Sequence, residues 1–203
     1  MDADIDAPPP PVDTGPTHVT LSQTTETTLS GNSIACGITA QDTTSENSWY
    51  RVFRLADAGV TRELSVISVS FGVQSAVGQP EIQVKLGTYA GSTQPPPGVL
   101  DTTLITPLNS ASVTVPNLTN MMVNVPVSAT VAADAKLVVE VFAPDLAEVG
   151  KFWLAGAAGD ESAPAYMRAP TCDITQPTQV PTIAANANLS PVPRFVITVQ
   201  GTY

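Results

Sequence analysis

A chain of 203 residues with 18 acidic and 8 basic side chains, net −10, can bury one sizeable core and carries no basic footprint for nucleic acid. Only 13% of residues are charged, so Thr, Ser, Asn and Gln must cover the surface, as in many secreted β-proteins. No apolar run approaches the ~18 residues of a membrane-spanning helix.

Residues 1–16 hold Asp2, Asp4, Asp6 and Asp13 around Pro8-Pro9-Pro10-Pro11, with no basic residue. Consecutive prolines favour polyproline II and the acids keep it solvated, so this segment is expected to be an acidic tether. It lacks the basic start and apolar stretch of a signal peptide, which suggests a mature region behind a replacement methionine. Residues 17–203 are expected to form a single domain.

His18 to Leu21 is a weak strand. Asn47-Ser-Trp-Tyr-Arg-Val-Phe-Arg-Leu55 follows, the densest group of rings and arginines in the chain. Extended geometry sends Trp49, Arg51, Phe53 and Leu55 to one face and Tyr50, Val52 and Arg54 to the other. If the first face is the core, Arg51 is carried inward and needs a partner: a buried acid, an aromatic ring, or the carboxylate of a ligand. Trp49, Arg51 and Phe53 are read as a structural tie. From Glu63 to Val73, Ile67, Val69, Phe71 and Val73 alternate with Ser68, Ser70 and Gly72, which predicts a half-buried strand.

Glu81 to Leu86 alternates again, and Gly91 to Gly98 is a proline-rich surface loop. Further short strands are expected at 99–105, 111–115, 121–125, 136–143, 151–155, 166–169 and 194–202. About nine or ten strands, no long helix and prolines mostly between strands predict an all-β fold, a jelly-roll-like sandwich of two antiparallel sheets.

Cys36 and Cys172 stand 136 positions apart with no Cys-x-x-Cys and a single histidine, His18, which excludes a zinc set. In an oxidising compartment they are expected to form a disulfide; the alternative is two buried thiols. Nucleophilic catalysis needs a histidine base, and His18 lies beside the tether. Glu63, Glu81 and Glu140 fall on polar strand faces, where solvated carboxylates are commoner than a glycosidase pair. Asp42 and Glu46 in one loop, and Asp160 and Glu161 in another, are candidate calcium ligands without EF-hand spacing. Trp153, Tyr50, Tyr89 and Tyr166 are the rings that could form a platform for a sugar.

The run Asn47–Leu55, together with Tyr166-Met-Arg-Ala-Pro-Thr-Cys172, Leu137-Val-Val-Glu-Val-Phe142 and Phe195-Val-Ile-Thr-Val-Gln-Gly-Thr202, resembles a loosely characterised β-sandwich module in secreted and surface proteins of myxobacteria and other environmental bacteria. The resemblance covers roughly residues 32–203 and implies an extracellular setting but no defined activity. The Asp/Pro leader resembles the tether behind the lipidated cysteine of myxobacterial lipoproteins. On that basis a membrane would be reached only through a lipid anchor outside this sequence. The expected function is a non-enzymatic extracellular or cell-surface module for adhesion, display or self-assembly. Its partners would be other copies of itself, surface proteins or a polysaccharide. The alternatives are a carbohydrate-binding module and, less favoured, a glycoside hydrolase; no cofactor is expected beyond a structural calcium.

Overall fold

The computed structural model describes residues 15–203 apart from Thr39, Glu148 and Val149, so the expected tether lies almost wholly outside the described residues. In chain order the strands are β1 (His18–Ser22), β2 (Leu29–Ser30), β3 (Gly37–Ile38), β4 (Thr43–Thr44), β5 (Asn47–Arg54), β6 (Leu64–Val77), β7 (Glu81–Tyr89) and β8 (Ile105–Thr114). They continue with β9 (Leu118–Val131), β10 (Lys136–Ala143), β11 (Lys151–Leu154), β12 (Gly156–Ala157), β13 (Tyr166–Ala169), β14 (Ile174–Gln179) and β15 (Ile197–Thr202). One short helix, α1 (Val180–Asn186), precedes the last strand.

Eight strands set the frame. Counting β1, β5, β6, β7, β8, β9, β10 and β15 as first to eighth, one sheet runs first–eighth–third–sixth and the other second–seventh–fourth–fifth, all antiparallel. This is the order of a jelly roll, two Greek keys wrapped into a sandwich. The expected all-β sandwich is therefore the fold. Between its seventh and eighth strands lies an insertion that the frame does not require. Within it β11 continues the edge of β6 that β15 leaves, and β13 and β14 extend the other sheet beyond β5.

The core follows from alternation. Trp49 and Phe53 of β5, Val139 and Val141 of β10, and Val84 and Leu86 of β7 point inward from one sheet. They meet Val69, Phe71 and Val73 of β6, Val199 of β15 and Phe152 of β11 from the other. Trp49 lies edge-on or tilted against Phe195 at 6.1 Å and Phe152 at 5.8 Å, ring geometries that favour aromatic pairs.

Two departures from the sequence reading have physical causes. Pairing of β6 with β9 slips between Val66 and Ser68, and the extra residue turns Ile67 outward, leaving it 50% exposed while Val66 takes the inward place. The regions expected as separate short strands at 99–105 and 111–115 are instead a 3-10 turn, Thr102–Leu104, and one ten-residue strand. Pro107, Pro126 and Pro177 lie inside strands, and each of those strands is an edge, where a missing N–H leaves no ladder bond unmade.

Candidate functional site

Arg51 is fully buried and reaches three groups on two segments, the 161–163 loop of the insertion and the chain at Phe195. Nη1 donates to Ala163 O at 2.7 Å and lies 2.9 Å from Glu161 Oε2; Nη2 donates to Phe195 O at 2.7 Å. Burial pulls the guanidinium's pKa down and Glu161 holds it up. Among the described residues Arg51 Nε has no hydrogen-bond partner. Arg51 thus joins the second strand of the frame to the insertion and to the chain entering the eighth.

Cys36 and Cys172 form a disulfide, with Cα atoms 5.9 Å apart. Asn47 seats the first of them: its side-chain oxygen accepts from Cys36 N at 2.8 Å, and its amide donates to Cys36 O at 3.0 Å and Ser45 O at 2.8 Å. Beside the bridge, a cleft of about 670 Å³ opens between Ile34, Met167, Ile174, Ile183 and Leu189.

The four acids considered for calcium do not converge. Asp42 pairs with Lys151, Glu46 with Arg168 at 2.6 Å, Asp160 with Arg194 at 3.2 Å, and Glu161 with Arg51. Each carboxylate is engaged by a cation from a distant stretch of the chain. Among the described residues no group of three or more His, Cys, Asp or Glu could hold a metal. Glu140 likewise bonds Lys85 at 3.2 Å and accepts from Ser48 Oγ at 2.8 Å, while Glu63 and Glu81 remain exposed. His18 is exposed at the start of edge strand β1.

The expected aromatic platform is divided. Tyr50, Tyr89 and Tyr166 are buried on the outer face of the β5 sheet around Leu100 and Val138. The proline-rich loop roofs them: Gln179 donates to Pro97 O at 2.9 Å and Leu100 N to Pro177 O at 2.8 Å, tying the loop to β14. A roof was not legible as such, because proline-rich loops read as solvated. Trp153 is half-buried and lines a small pocket with Ala35, Gly37, Ile38, Asp42 and Thr43.

The feature that the sequence reading did not single out is the ribbon made by β8 and β9, edge strands of the two opposed sheets that lie side by side without a ladder between them. From Thr102 to Ala133 the chain has no charged residue. Both strands are largely exposed edges, with Leu108, Met121 and Met122 among the exposed large apolar side chains. Asn109 donates to Ser128 O at 2.7 Å, and a groove of about 310 Å³ runs between the two strands beside Ile67 and Pro126. Comparison with protein-family models, with curated proteins and with solved structures finds no match.

Proposed function

We propose that this chain is a non-enzymatic module of an extracellular or cell-surface protein, acting in adhesion, display or self-assembly. The observation that carries the reading is the charge-free ribbon β8–β9. Natural sheets guard their edges with charge, proline, β-bulges, short strands or a covering element. Here two strands of 10 and 14 residues carry no charge and expose apolar side chains. Pro107 and Pro126 interrupt but do not charge them. Such edges favour pairing with the same edges of another copy.

The disulfide fits an oxidising compartment, and the resemblance to secreted β-sandwich modules favours the same setting. The non-enzymatic reading draws on the engagement of the buried and partly buried acids in ion pairs, which leaves them committed to holding loops. Sedimentation of the wild-type chain over a hundredfold range of concentration tests assembly. The expected result is growth in size with concentration, abolished in Met121→Lys/Leu108→Lys with the melting temperature unchanged. A wild-type chain that stays monomeric throughout overturns self-assembly.

A further inference from the structure

We propose that the pocket at Trp153 binds one pyranose unit of a neutral polysaccharide. This deepens the adhesive side of the reading above and rests on the chain acting outside the cell, but it does not depend on pairing of the ribbon.

Three elements build the pocket. β3 contributes Gly37 and Ile38, β4 contributes Thr43 with Asp42 just before it, and β11 contributes Trp153. The β4 arm of the hairpin is clamped to β11: Phe152 N donates to Thr44 Oγ1 at 3.0 Å, Thr44 N donates to Gly150 O at 3.3 Å, and Lys151 pairs with Asp42. Gly37 admits no side chain, because a Cβ there would stand 2.3 Å from Thr43 O. The walls are therefore held before any ligand arrives, which lowers the cost of ordering on binding.

The chemistry of those walls matches a sugar ring. Trp153 and the exposed Ile38 offer an apolar surface to the C–H face of a pyranose. Thr43 Oγ1 is buried and makes no hydrogen bond among the described residues, a state that is costly unless something completes it. Asp42, with 72% of its side chain exposed, remains open to further donors although Lys151 holds it. Asp42 and Lys151 present an acceptor and a cation at the rim of an apolar wall, and rotation of Thr43 about its Cα–Cβ bond would turn its hydroxyl, closed to solvent in this structure, toward the pocket that the residue lines. The Asp42–Lys151 pair cancels its own charge, which favours a neutral ligand over an acidic one. At about 140 Å³ the pocket is well below the roughly 300 Å³ of the smallest drug-sized sites, so it takes one ring of a longer chain.

Retention of the full chain on insoluble cellulose and chitin, and its retardation in gels containing dextran, mannan or xylan, tests the proposal. Binding to at least one neutral polymer is expected, weakened about tenfold or more in Trp153→Ala, as for a buried aromatic anchor. Thr43→Val is the sharper variant because Trp153→Ala can disturb folding. It removes an unpaired hydroxyl, so the melting temperature should hold or rise while affinity falls about fivefold, the worth of one hydrogen bond. Met121→Lys/Leu108→Lys should bind the polymer as the wild type does, which separates this site from the ribbon. Absence of binding across the panel, or undiminished binding in folded Trp153→Ala and Thr43→Val, overturns it.

Discussion

Glu161 reaches to 2.9 Å from Arg51 although the arginine side chain has no exposed surface, and only 12% of the glutamate's is exposed. Two charges so removed from water are stable only as a set. Glu161→Ala leaves the guanidinium with two carbonyls and no counter-charge, and should lower stability by about 3–5 kcal/mol. The double variant Arg51→Met/Glu161→Leu should lose less than the two single changes summed. Urea unfolding of the wild type, Glu161→Ala, the double variant and its two single changes checks both statements.

The disulfide closes a loop spanning 136 positions. The chain-entropy relation gives about 5 kcal/mol for a loop of that length, and losses in practice run about 2–5 kcal/mol. Cys36→Ala/Cys172→Ala should therefore unfold at distinctly lower urea. Adding reductant to the wild type should bring its midpoint toward that of the double variant.

Burial on the outer face raises the Tyr50 hydroxyl's pKa, with Glu140 adding to the shift, and pushes Tyr166 up to about 12. In the unfolded chain both ionise near 10. The folded state then holds protons that the unfolded state releases, so stability is complete below pH ~10 and falls as pH climbs towards 12. Tyr50→Phe/Tyr166→Phe should move the alkaline unfolding midpoint upward. Leu100→Ala, which opens the roof, should cost about 2–5 kcal/mol and let Tyr50 and Tyr166 titrate closer to pH ~10. Ultraviolet titration of the phenolates reads this directly.

Gly150 lies where β11 begins, and a Cβ there would stand 2.0 Å from Val77 O. Backbone on both sides cannot yield cheaply, so Gly150→Ala should be strongly destabilising. Gly98, in the proline loop, has nothing within 4 Å of a Cβ and no positive φ. Gly98→Ala should be neutral or stabilising by up to about 1 kcal/mol through the unfolded chain. Thermal melts of the two variants separate close approach from glycine content.

The sandwich was legible because Trp49, Phe53, Val69, Phe71, Val84 and Val139 obey a period of two, and burial on one face imposes that period. Ile67 was misplaced because a bulge leaves no mark on the alternation; it depends on the partner strand's register. The long reach of β8 and β9 was hidden by Pro107 and Pro126, which read as breaks until edge position explains them. Helix α1 was not foreseen: Val180-Pro-Thr-Ile-Ala-Ala-Asn186 is too short to show helical periodicity, and its place depends on packing of Val180 and Ile183. The rings at 50, 89, 153 and 166 were equivalent in the sequence. Only the tertiary position of the proline loop separates three buried phenols from one indole beside a pocket.

The bridge also sets how far the folded chain can be drawn out. Strands β3 to β13 all lie between Cys36 and Cys172, while β1, β2, β14, α1 and β15 lie outside. Tension applied through the backbone on either side passes across the sulfurs and bypasses the enclosed strands. Only the outer segments can then lengthen, at no more than ~3.6 Å per residue. β1 and β15 would go first, because Thr17 and Tyr203 exchange both backbone bonds at the loaded end and the ladder behind them opens rung by rung. The module would behave under load as a short extensible lead attached to a block of fixed length.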